Sequence, residues 1–232
     1  MNKLKVINSS SSGNCYILTC NNEKLILDCG LPIKVIKQGL DFDLQGIHGV
    51  LVTHCHKDHS LSVDDFKKMG IPVWQPYLDE NKVQRRYFGG FMVRSFDVPH
   101  DNEPCVGYLI ECPNHDRLLY ATDCEYIRYS FKKMNLNHIL IECNYQQELV
   151  NMDLPNYEHK IRGHCSLSTC KEFIKVNATD NLQTVILCHL GQETTEPMEC
   201  VAEIQKIVPV ANVFVAERGL EVELRKKGEC PF

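Results

Sequence analysis

A chain of 232 residues, 44% hydrophobic and 24% charged, has the composition of a soluble globular protein and can bury a core of its own. That composition excludes disorder, and no apolar run approaches the ~20 residues that span a bilayer. The formal net charge of −5 argues against a strong general affinity for nucleic acid, which rests on phosphate neutralisation.

Apolar runs bounded by turn residues predict strands at Leu4–Ile7, Tyr16–Thr19, Leu25–Leu27, Gly49–Thr53, Pro72–Trp74, Phe91–Phe96 and Val106–Glu111. Further strands are expected at Leu118–Ala121, His138–Ile141, Thr184–Cys188, Val213–Val215 and Leu220–Leu224. Helical periodicity predicts Leu31–Lys37, Leu61–Met69, Tyr77–Arg86, Ser166–Val176 and Pro197–Ile207, with Ser166, Ser168 and the Thr169-x-x-Glu172 capping-box pair as start signals for the fourth. No internal repeat or linker divides the chain, and Ser9–Ser12 is its one low-complexity tract, so a single α/β domain over 1–232 is expected. Thirteen cysteines, with no C-x-x-C pair and no export signal, read as reduced thiols of a cytoplasmic protein.

The densest chemistry lies in Thr53-His54-Cys55-His56-Lys57-Asp58-His59, directly after the apolar Val50-Leu51-Val52. In an extended segment residues two apart share a face, so His54 and His56 are expected to offer imidazoles to one ion. Asp58 and His59, on the turn that follows, can swing toward a second. Mixed histidine and carboxylate donors suit zinc in a catalytic setting. Cys55, Cys124 and Cys188 are expected to face away from the ligands and fill the core. Three more polar residues end apolar strands: His100, Asp123 and His189.

This ordered set resembles the metallo-β-lactamase superfamily: Asp28 after Leu25-Ile26-Leu27, then His54-x-His56-x-Asp58-His59, His100, Asp123 and His189, from about Ser10 to Leu190. The resemblance implies a four-layer αββα sandwich and two divalent metal ions, zinc first, manganese or iron as alternatives. By the same resemblance His54, His56 and His100 hold the first ion, Asp58, His59 and His189 the second, and Asp123 bridges them. Asp28 orients ligands by hydrogen bonding. The implied nucleophile is a hydroxide between the ions, oriented by Asp58.

Ser9-Ser10-Ser11-Ser12-Gly13-Asn14-Cys15-Tyr16, Arg162-Gly163-His164-Cys165-Ser166 and His189-Leu190-Gly191 are similar to signatures of the YycJ-type, exonuclease-like branch. Gly191, where that branch usually has serine, and Cys165 and Leu167 after His164 depart from it. A comparable His-Ser-Thr element in ribonuclease Z makes His164 the candidate to protonate a leaving oxygen or clamp a phosphate, beside the N-terminus of the helix that follows. The serine tract is either a source of hydroxyls for substrate or a flexible turn. The stretch between Asp123 and His189 is too short for the domain inserted in β-CASP nucleases, and the tail leaves little room for the helical domain of glyoxalase II.

The expected activity is therefore that of a binuclear metal-dependent phosphodiesterase, a nuclease acting on a phosphodiester substrate. The alternatives are a cyclic nucleotide phosphodiesterase and a thioester or lactone hydrolase. Of the basic residues Lys82, Arg85, Arg86, Lys132, Lys133, Lys160 and Arg162, the last two are expected near the site. His48, His115, His138 and His159 are expected to be structural or surface residues. No membrane partner is expected, and the oligomeric state stays open, a homodimer included.

Overall fold

The computed structural model describes residues 2–151 and 161–224. Their elements run β1 (Lys3–Ser10), β2 (Gly13–Cys20), β3 (Glu23–Leu27), α1 (Ile33–Gly39), β4 (Ile47–Leu51), α2 (Lys57–Ser60), α3 (Val63–Lys68) and β5 (Val73–Trp74). The second half has β6 (Arg85–Phe88), β7 (Phe91–Val98), β8 (Cys105–Glu111), β9 (Arg117–Ala121), β10 (His138–Glu142), α4 (Leu167–Asn177), β11 (Thr184–Cys188), α5 (Pro197–Ile207), β12 (Asn212–Val215) and β13 (Glu221–Glu223).

The strands form two sheets, ordered β13-β1-β2-β3-β4-β5 and β12-β11-β10-β9-β8-β7-β6. One apolar cluster joins Tyr16, Leu25 and Val50 of the first sheet to Val93, Tyr108 and Tyr120 of the second. A second cluster packs the other face of the second sheet, through Ile139, Ile141 and Leu187, against Phe173 and Ile174 of α4 and Ile204 of α5. β10 and β11 are thus covered on both faces, which is why they are continuous apolar runs that pair in parallel. This is the expected metallo-β-lactamase sandwich. Each fully buried core residue such as Leu25 or Ile139 contributes roughly 1.5–3 kcal/mol of burial.

Several local expectations are corrected. The strand expected at Gly49–Thr53 ends at Leu51; Val52 N–H still donates to Trp74 O of β5 in the same sheet, and the chain then crosses to the second sheet, where Thr53 O accepts from Val106 N–H. Asp58 and His59 lie in the short helix α2, and the helix expected at Leu61–Met69 shrinks to α3. Tyr77–Arg86 is not a helix. It gives a 3-10 turn at Pro76–Leu78 and the start of β6, a strand whose exposed Arg85, Arg86 and Tyr87 hide the alternation. Of the start signals expected for α4, Ser166 is the cap, its hydroxyl accepting from Thr169 N–H, while the Thr169–Glu172 box is not used. Cys124 and Cys188 are buried as expected, whereas Cys55 is exposed, since it sits on a loop with no opposite sheet face.

Candidate metal centre

The sequence-predicted ligands come from the C-terminal ends of strands in both sheets: Asp28 after β3, the His54–His59 segment after β4, His100 after β7, Asp123 after β9 and His189 after β11. Asp28, Asp123 and His189 adopt left-handed backbone angles, φ 55°, 48° and 52°. Such conformations are uncommon for non-glycine residues and cluster where function requires them.

His54, His56 and His100 converge, with ring centroids 4.6, 4.7 and 5.0 Å apart. Asp58, His59, Asp123 and His189 form a second group; within each, the donor atoms lie within 4.8 Å of one another. The two groups meet where Asp123 Oδ2 lies 3.9 Å from His54 Nε2 and 3.4 Å from His59 Nε2.

Hydrogen bonds pre-set these rings. Asp28 Oδ2 accepts from His59 Nδ1–H at 2.7 Å and from Tyr120 O–H at 2.6 Å. Its Oδ1 accepts from Thr53 N–H at 2.8 Å. The Thr53 hydroxyl donates to Asp28 and accepts from His54 Nδ1–H at 3.1 Å, so one carboxylate aims a histidine of each group. Gly163 O accepts from His100 Nδ1–H at 2.8 Å. These contacts leave the second ring nitrogen of each histidine directed inward.

The centre fits a cation. His54 Nε2 is buried without a hydrogen-bond partner, a costly state for a polar atom unless a ligand occupies it. Burial lowers the His54 pKa well below the usual imidazole value, keeping it a neutral donor. Burial works against charge on His59 and His189 too, yet the surrounding carboxylates prevail. Asp123 and Asp28 raise His59, and Asp123 with Glu142 pushes His189 up to about 10. Conversely, although burial would raise Asp123, His189 and His59 hold it well below the ordinary carboxylate range. Carboxylates that draw protons onto neighbouring imidazoles are a site calling for positive charge, which divalent ions supply.

His164 joins the same cluster, its ring 5.2 Å from His189 and 6.0 Å from His100. Sequence reasoning missed what holds it. Glu142, fully buried at the end of β10, accepts from Nδ1–H of both His164 (2.7 Å) and His189 (2.9 Å). Its other oxygen accepts from the backbone N–H of Cys124 and Cys165. A signal was available: Glu142 ends an apolar strand just as Asp123 and His189 do. The helix N-terminus beside His164, expected to hold phosphate, is largely occupied, because Leu167 N–H donates to Tyr145 O and Thr169 N–H to Ser166.

The serine tract is an ordered hairpin end. Asn8 Nδ2 donates to Ser10 Oγ and Gly13 O, and Ser9 Oγ accepts from His189 N–H at 2.8 Å. Lys82, Arg128 and Arg162 line a cleft of about 460 Å³ that reaches His100. Arg85 and Arg86 instead lie over the rings of Tyr87 and Trp74. Lys160 and His159 fall outside the described residues. His138 is buried, while His48 and His115 sit in partly or fully exposed ion pairs. No helix among the described residues is long and apolar enough to cross a membrane.

Residues 10–123 match the model of the metallo-beta-lactamase superfamily. The chain is 26% identical to the exodeoxyribonuclease YycJ of Bacillus anthracis over 217 residues, covering 80% of this chain and 81% of that protein. It is 24% identical to the exodeoxyribonuclease WalJ of Streptococcus pneumoniae serotype 2 over 260 aligned positions, covering 99% and 94%. Its fold is similar to that of the metallo-beta-lactamase fold protein YhfI from Bacillus subtilis, with a TM-score of 0.70, 17% identity and coverage of 95% and 98%. Motif order, sheet architecture and sequence similarity together show the metallo-β-lactamase fold in a chain similar to the YycJ-type exonucleases.

Proposed function

We propose that this protein is a binuclear metal-dependent phosphodiesterase acting as a DNA exonuclease-like nuclease. The observation that carries the reading is the pair of buried Glu142 and partly buried His164 set against both ligand groups, an arrangement that ester or lactone hydrolysis does not need. The relatives it matches over most of its length, YycJ and WalJ, are exodeoxyribonucleases, which supports the same assignment.

In this reading His54, His56 and His100 would hold one ion and Asp58, His59 and His189 the other, with Asp123 set between the two groups. Zinc suits these nitrogen and carboxylate donors best, with manganese or iron as alternatives. Two such ions supply Lewis acidity toward a phosphoryl oxygen and an activated water near neutral pH. Asp58, half-buried at the edge of the second group, orients the attacking water. Glu142 favours the protonated form of His164, whose imidazolium donates a proton from Nε2 to the leaving oxygen, a contribution of about 10²–10⁴-fold. The buried walls around His54, His59 and Asp123 exclude bulk water and strengthen these interactions.

A small phosphodiester such as a cyclic nucleotide is the second reading. The mixed charge of the cleft favours it: Lys82, Arg128 and Arg162 are set among Asp97, Asp101 and Glu103. The deciding experiment is turnover by the metal-reconstituted protein on end-labelled DNA, end-labelled RNA and cyclic mononucleotides, with Asp58→Ala and His164→Ala beside it. Polymer cleavage lost in both variants supports the nuclease, and turnover of cyclic nucleotides alone supports the second reading. Ester hydrolysis that survives His164→Ala, without phosphodiester turnover, overturns both.

A further inference from the structure

The signature Ser-Ser-Gly-Asn at the β1–β2 turn has no part in the chemistry above, yet its asparagine reaches the centre. Asn14 is fully buried. Its Nδ2 lies 3.0 Å from Ser10 O and 3.0 Å from His59 Nε2. Ser10 O only accepts, so the atom facing it must be the amide nitrogen, and this fixes the amide's orientation. One of the two N–H groups is held by Ser10; the other points at the nitrogen with which His59 would hold an ion. The Asn14 main chain is anchored. Its carbonyl accepts from Gly30 N–H at 3.0 Å, and Tyr16 O–H donates to its Oδ1 at 3.4 Å.

We propose that Asn14 is a substrate-binding residue that donates its second N–H to a phosphoryl oxygen at the second ligand group. An ion held by His59 Nε2 would take the lone pair that this N–H faces, and the amide would then turn its N–H to an oxygen beside that ion. A buried donor without an acceptor is disfavoured, so the site selects a ligand with an oxygen there. The inference rests on the phosphodiesterase reading.

The test uses zinc-loaded full-length protein and inorganic phosphate as the probe. Wild type, Asn14→Ala and Asn14→Asp are compared for zinc content and for phosphate affinity by calorimetry. The expected result is unchanged zinc content and about tenfold weaker phosphate binding in Asn14→Ala, the loss expected for one hydrogen bond to an anion. Asn14→Asp, which presents a carboxylate, should bind more weakly still. In wild type, phosphate should also shift the Asn14 side-chain amide resonances, a readout that needs no variant. Equal phosphate affinity in all three proteins, unmoved Asn14 resonances, or loss of a zinc ion from Asn14→Ala would each overturn the proposal while leaving the phosphodiesterase reading intact. Failure of zinc-loaded wild type to bind phosphate at all would overturn both.

Discussion

Glu142 Oε1 accepts the Nδ1 hydrogen of His164 at 2.7 Å from a fully buried position. Burial alone would lower the pKa of His164, but the Glu142 carboxylate raises it above the ordinary imidazole value. A raised value shifts the ring toward its protonated form, and the proton is lost as pH climbs through that value. The acid role of His164 therefore predicts activity that declines on the alkaline side. Replacing Glu142 with glutamine removes the charge that raises the pKa. The alkaline limb of the kcat/KM profile should move to lower pH, with activity at pH 8 down about tenfold or more. An unmoved limb would show that Glu142 does not set the proton affinity of His164.

Asp28 and its partner Thr53 aim His59 and His54, one from each ligand group. Asp28→Asn is expected to weaken metal binding by about 10–100-fold, the effect typical of removing a group that orients metal ligands. Chelator competition measures it. Unchanged zinc affinity would mean that packing alone orients the two rings.

Gly30 is pinched between β2 and α2. A Cβ there would lie 1.6 Å from Asp58 O and 2.6 Å from His59 N, both backbone atoms that cannot swing aside. Gly30→Ala should therefore displace α2 and abolish the second ligand group. Zinc content should fall toward one ion per chain, with a lower Tm. Two retained ions and an unaltered Tm would refute this close approach.

His138 has both ring nitrogens buried without hydrogen-bond partners, and burial pushes its pKa down to about 3. The unfolded chain binds this proton near pH 6.5. The stability contributed by a neutral His138 is therefore present above about pH 6.5 and is lost as pH falls from there toward 3. His138→Leu removes both the unsatisfied nitrogens and this proton uptake. It is expected to stabilise the protein by about 1–3 kcal/mol at pH 7 and to reduce the loss of stability between pH 6.5 and 4. Urea unfolding at several pH values measures both. Equal acid sensitivity in the two proteins would place the titration elsewhere.

Much of the architecture is legible locally. Strong apolar runs such as Thr184–Cys188 and the periodic Pro197–Ile207 appear at the bounds expected of them. Their side chains face one or two fixed surfaces, so the pattern survives in one dimension. β6 and α2 were not legible for the opposite reason. β6 is held by pairing with β7 while its own side chains are exposed, and α2 is a single turn tied to the Cys29 loop by the Cys29 N–H bond to His59 O.

The sequence by itself determined the chemistry of the candidate site: which histidines and aspartates occur, in what order, and at the ends of which strands. It did so because metal donors are few in kind and their spacing follows the strand–turn pattern. The tertiary structure alone decided that Glu142 sits beneath His164 and His189 and that Asn14 meets His59. Each of these is a contact between residues on different elements, set by how two sheets pack and twist. No periodicity along the chain records such a distance.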